Sequence, residues 1–232
     1  MSSERVIGVM VLLLMAVSAF SHNTNDSTLN TKNSILNTKS SIYNGTQIKL
    51  DIASPIVIAG INDWKIQHYE IATNVRLAQR YYPTIELGYS GGTRVQGDTL
   101  TYKGHGGFIR VGADINPLKK HPERPHALLI VLRIGTAVHD WNQTVTDNTG
   151  ATSSTNGGVR GDCWGEIVAG CQVCIAEGPI AKGKKTMAFY MGWMGRFKFL
   201  FTRNISSPIY IPGYGERDNM GWGLNYYIGW RF

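Results

Sequence analysis

Charge is scarce in this 232-residue chain, at 17% Asp, Glu, Lys and Arg, and cysteine is scarcer, with three residues. Cys163, Cys171 and Cys174 cannot build a disulfide framework. On one predicted strand Cys171 and Cys174 point to opposite faces, and Cys163 lies too far along to meet either. Their Cys-x-x-Cys spacing lacks a second ligand pair for a metal and a helix N-terminus to lower a thiol pKa. They are expected to be small strand residues. After residue 20 no run is apolar enough for a membrane helix, which excludes a helical membrane protein.

Convergent chemistry is also missing. His22, His68, His105, His121, His126 and His139 are scattered, so neither a metal site nor a cofactor is expected. His139-Asp140 pairs a base with an acid but has no serine placed beside it. Gly91-Gly92, Gly106-Gly107 and Gly157-Gly158 lack the lysine and strand-to-helix setting of a phosphate loop. No catalytic residue is assigned, and the chain is expected not to be an enzyme. The formal charge of +7 forms no single stripe, so nucleic acid is not an expected partner. Lys119, Lys120, Lys182, Lys184 and Lys185 fall in two connections and read as solvated turn lysines.

What is present is alternation. Trp222, Leu224, Tyr226, Ile228, Trp230 and Phe232 share one face with Met220, while Gly221, Gly223, Asn225, Tyr227, Gly229 and Arg231 share the other. A greasy aromatic face on a last strand is the pattern of a strand that closes a barrel in lipid and guides its assembly. At the other end, Arg5, an apolar stretch over Val6 to Phe20 and Ala19-Phe20-Ser21 read as a signal peptide over residues 1–21. Residues 22–46, rich in Ser, Thr and Asn, carry a seven-residue echo, Leu29 to Ile35 and Leu36 to Ile42. Such composition makes poor helix, and a flexible spacer is expected.

Residues 47–232 hold eight strand-like runs. They lie at Ile48 to Ala59 (interrupted by Pro55), Tyr69 to Ala78, Thr84 to Ser90, Phe108 to Ile115, Leu128 to Gly135, Glu166 to Val173, Met187 to Phe201 and Met220 to Phe232. Short turns are expected near Gln79 to Tyr82, Pro117 to Pro125 and Glu177 to Lys184. Longer loops are expected at Gly91 to Gly104, Asp140 to Gly161 and Thr202 to Asn219. Short turns on one side and long loops on the other fit an outer-membrane barrel with its N-terminal spacer in the periplasm.

The face opposite the greasy one carries Asp51, Glu70, Glu86, Asp114 and Glu166 with Arg76, Arg110, Arg133, Arg196, Lys198 and Arg231. An eight-stranded barrel is only wide enough to be filled by side chains, and charges buried there must pair. The expected fold is therefore all-β: an eight-stranded antiparallel transmembrane β-barrel with a side-chain-filled, charged interior. A soluble barrel would reverse the faces. The crowding of Trp, Phe and Tyr on the apolar face, too bulky for a narrow lumen, argues for lipid outside.

Three stretches resemble an uncharacterised family of small outer-membrane barrel proteins from Bacteroidota. They are Arg80-Tyr-Tyr-Pro-Thr-Ile-Glu-Leu-Gly-Tyr89, Ile109-Arg-Val-Gly-Ala-Asp-Ile-Asn116, and Ile209-Tyr-Ile-Pro-Gly-Tyr-Gly215 with the closing Asn225 to Phe232. The resemblance implies the barrel fold and the outer membrane, and brings no assigned activity. The expected role is a non-enzymatic binding or accessory subunit of a larger outer-membrane complex. It would act through external loops and the lipid face, and meet the barrel-assembly machinery during insertion. Tyr210, Pro212, Gly213 and Tyr214 are the expected external loop contact. An outer-membrane lipid-modifying enzyme and a small pore are the alternatives.

Overall fold

The computed structural model describes residues 43–52, 64–77, 81–96, 99–117, 127–179, 186–202 and 209–232. Among them the chain forms strands β1 (Tyr43–Asp51), β2 (Trp64–Leu77), β3 (Tyr81–Gln96), β4 (Leu100–Ile115), β5 (Ala127–Thr146) and β6 (Thr152–Asn156). They are followed by β7 (Arg160–Pro179), β8 (Thr186–Leu200), β9 (Tyr210–Ile211), β10 (Gly215–Glu216) and β11 (Met220–Arg231). Glycine and β-branched or aromatic residues alternating over these segments suit a pleated surface with one crowded and one open face. No described helix is long and apolar enough to cross a membrane.

Eight of the strands close on themselves. Their order is β4-β3-β2-β1-β11-β8-β7-β5, and β4 pairs with β5 to complete an antiparallel barrel. Registered partners run once around from Tyr190 through Gly229, Lys49, Ala72, Glu86, Arg110, Gly135 and Trp164 to Leu200. The path returns to β8 ten residues further on, a stagger that tilts the strands by about 40° and leaves a lumen that side chains fill.

The faces are sorted as the alternation predicts. Arg133 and Arg196 are 3% and 4% exposed, while Leu132 and Trp222 are 70% and 61% exposed. Tyr69, Leu87, Val111, Ile134, Ile167 and Phe197 also point outward. On β11, Asn225, Tyr227 and Gly229 turn inward between Leu224, Tyr226, Ile228 and Trp230.

The strands depart from expectation at their ends. β1 starts at Tyr43, inside the stretch read as spacer; Thr46 and Phe232 exchange backbone hydrogen bonds of 3.0 Å. Gly45, at φ 113°, supplies the bulge between Tyr43 and Thr46, and a Cβ there would meet the Phe232 carbonyl at 3.2 Å. The continuation of β1 toward Pro55, the turns over 118–126 and 180–185 with their lysines, and the spacer before residue 43 lie outside the described residues. The loop expected at Gly91 to Gly104 is mostly strand, since β3 runs to Gln96 and β4 begins at Leu100. Likewise Asp140 to Gly161 is the end of β5, all of β6 and the start of β7. Polar Thr, Gln, Asn and Lys continue these strands, and hydropathy alone does not mark them. Gly91-Gly92 and Gly106-Gly107 lie inside strands. All three cysteines are free.

Candidate functional site

The lumen is layered. Toward the end where β1 begins and β11 finishes, Tyr82, Ala127, Leu129, Val131, Val168, Met194 and Tyr227 pack together. Charges occupy the middle. At the opposite end come Phe108, Ala137, Trp164, Ile211 and Tyr214, and then Tyr102, Trp141 and Tyr210. Inward glycines make room for these rings: a Cβ on Gly135 would lie 2.3 Å from the Trp164 indole.

Seven expected network residues meet in the charged layer. Arg110 Nη1 donates to Glu70 at 2.7 Å and Glu86 at 3.0 Å, and its Nε lies 3.1 Å from Glu166. Arg196 reaches Glu86 and Glu166 at 2.9 Å and Glu70 at 3.1 Å. Arg133 joins Glu86 and, at 2.9 Å, Asp114. Lys49, absent from the expected network, lies 3.6 Å from Asp114. Its place on the polar face of β1, between Gln47 and Asp51, was the available signal. Glu70, Glu86, Asp114 and Glu166 thus face Lys49, Arg110, Arg133 and Arg196, four charges of each sign. Buried ions paired in this way hold one another in place.

Three expected members sit elsewhere. Arg76 is buried over the Tyr82 ring, 5.9 Å from its centroid. Arg231 stacks on Tyr190 and pairs at 3.2 Å with exposed Glu177 at the rim, because the β11 end lies beyond the charged layer. Lys198 gives its ammonium to backbone carbonyls, Gly213 at 2.9 Å and Tyr214 at 2.8 Å.

Those carbonyls belong to the segment expected to be an external contact, and its place is the main correction. Tyr210, Pro212, Gly213 and Tyr214 are buried in the lumen, as a hairpin of β9 and β10. Arg110 Nη2 donates to the Gly213 carbonyl at 2.6 Å, so the charged layer grips the hairpin tip. Tyr210 shares a hydrogen bond with the Ser90 hydroxyl, and burial pushes its own hydroxyl up to about 12. The Tyr102 hydroxyl donates to the Tyr210 carbonyl at 3.3 Å. Rim pairs hold the hairpin's flank: Arg94 with Glu216 at 3.1 Å, and Arg217 with Asp162 at 3.0 Å. Ile209, Tyr210, Ile211 and Tyr214 are too apolar for a solvated loop, which was the sequence signal for burial.

Two further groupings bear on chemistry. His139 turns inward and meets Asp162 at 2.7 Å, not its neighbour Asp140. His68, Glu70 and Asp51 bring one possible ligand atom each within 4.8 Å of one another, although the histidines looked scattered in sequence. Glu70 is held by two guanidinium groups and Asp51 accepts from Asn225, so hydrogen bonds within the barrel occupy the cluster.

The family profile described as "Domain of unknown function (DUF6048)" matches residues 4–232. The chain belongs to this family. The DUF6048 match takes in the residues before β1 as well as the barrel. No curated protein matches the chain. The described residues of this DUF6048 chain thus form a closed eight-stranded antiparallel barrel, plugged by its own side chains and by the hairpin that precedes β11.

Proposed function

We propose that this barrel spans the bacterial outer membrane and serves as a non-enzymatic binding or accessory subunit of an envelope assembly. The observation that carries the membrane reading is the outward apolar surface around an ionised, occluded interior. That surface runs from Tyr81 to Tyr89 on β3 and from Leu128 to Val138 on β5, near the roughly 9–11 tilted residues that hydrocarbon requires. In water so broad a greasy surface would drive aggregation.

With the Tyr210–Tyr214 segment turned inward, the outward contact surface moves to the β5–β6 hairpin. β6 is exposed throughout and pairs with β5 along one edge, through Asn142 to Thr146. Its other edge has no partner strand among the described residues, which suits strand addition by a partner. The filled lumen speaks against the pore alternative, and nothing in the His139–Asp162 pair brings a nucleophile to favour the lipid-modifying enzyme.

The test is fractionation with a gel-shift assay of unheated protein, followed by co-purification in mild detergent. An outer-membrane fraction, faster migration before heating and a stoichiometric partner are expected. A soluble protein overturns the membrane reading. An inserted barrel that purifies alone overturns the subunit reading.

A further inference from the structure

Above the apolar surface on β2, β3 and β4 the outward face changes character within two rows. Tyr69, Tyr89 and Gly107 lie in register as the last aromatic row. The next row is Gln67, Gly91 and His105, and the one beyond is Lys65, Thr93 and Lys103. These last two rows, with Tyr89 below them, line an outward cleft of about 530 Å³. Its floor is low because Gly91 has no side chain; a Cβ there would already stand 3.3 Å from the His105 Cβ. With strands about 4.8 Å apart, Lys65 and Lys103 flank Thr93 at about 10 Å from backbone to backbone. Neither ammonium has an ion-pair partner among the described residues, whereas His105 stands opposite Asp140 in register on β5.

Two exposed lysines and a hydroxyl around a glycine-floored cleft fit an anionic, multi-oxygen group. The aromatic and aliphatic rows directly below fit acyl chains. We propose that this cleft binds the phosphate-bearing head group of a membrane lipid, with the lipid's chains lying along Tyr69, Tyr89 and Leu87. The site rests on the membrane-spanning reading and adds to it a position and a ligand class. The ammonium of each lysine supplies attraction, the Thr93 hydroxyl donates to a phosphate oxygen, and Gly91 leaves the head group room.

The experiment uses the full barrel reconstituted in phosphatidylcholine alone, or with phosphatidylglycerol as the minor component. Retained lipid is read by native mass spectrometry, and insertion is read separately by the gel shift. The unaltered protein should retain phosphatidylglycerol in preference to phosphatidylcholine, one per barrel. Lys65→Gln with Lys103→Gln should weaken retention at least about ten-fold while insertion stays intact. Gly91→Val should weaken it too, with all charges kept, whereas Arg94→Gln on the inner face of the same rim should leave it unchanged. Inorganic phosphate should fail to displace the lipid. Equal retention of the two lipids, an unaffected lysine variant, or displacement by phosphate alone overturns the lipid site while leaving the membrane reading standing. A barrel that does not insert overturns both.

Discussion

Glu86 accepts from three guanidinium groups at once, those of Arg110, Arg133 and Arg196, and so joins β3, β4, β5 and β8 through one carboxylate. Glu86→Gln leaves those cations facing a neutral amide in a buried layer. The expected loss is about 3–5 kcal/mol, read as a lower urea midpoint for the heat-sensitive gel shift. An unchanged midpoint would mean that the remaining carboxylates suffice. Gly213 is a second sensitive position, at φ 75° with the Phe108 ring 2.6 Å from where a Cβ would stand. Gly213→Ala is expected to cost about 1–3 kcal/mol and to loosen the hairpin tip, measured as faster trypsin cleavage after Arg217. A barrel as resistant as the parent would show that the tip adjusts freely.

At the scale of elements, the inserted hairpin has a predicted alkaline limit. The Tyr210 hydroxyl titrates at about 12 when buried and at its ordinary value of 10.0 when released. Its contribution is therefore complete below pH 10 and declines as pH rises from there to about 12. Proteolysis of the hairpin should accelerate across that interval, and Tyr210→Phe should weaken the dependence, leaving the share carried by Tyr102, which burial also pushes up to about 12. β6 offers another check. Ser154→Pro removes a pairing donor from this exposed strand, so partner recovery should fall while the gel shift is retained. Partner recovery at the parent level would locate the contact elsewhere. The elements themselves were legible wherever apolar and polar residues alternated, as over Leu128 to Gly135 or Met187 to Phe201. They were not legible over Thr93, Lys103 or Asn142, where the outward face turns polar above the greasy surface and the period of two fades from hydropathy. The hairpin was misplaced for a different reason: a turn rich in Tyr, Pro and Gly reads as surface, and that pattern outweighed the apolar Ile209 and Ile211 within it.

The whole molecule reconciles few charges with a charged centre. Most of its inward acids and bases converge on one layer, and their positions on the polar face could be read from sequence, but their pairings could not. Alternation assigns a face, whereas pairing depends on the ten-residue stagger that decides which rows share a height. Charge-assisted contacts across the lumen then bind strands that are not neighbours, as Arg196 on β8 does with Glu70 on β2. Conductance in planar bilayers should be absent for the parent. Arg110→Met with Lys198→Met, which frees the Gly213 carbonyl, should permit intermittent steps if the hairpin is the outer stopper.

β1 and β11 are bonded neighbours, so the cylinder stays an open ribbon until its final strand has been added. Until that moment Glu70, Glu86 and Arg110 wait on early strands for Arg196, which arrives late on β8. Under the proposed membrane reading, a ribbon entering hydrocarbon in that condition would carry two carboxylates matched by the single Arg110 guanidinium. On the membrane reading proposed above, zipping the seam and neutralising the centre accompany insertion, and a mutant stalled before the last strand should remain at the bilayer surface.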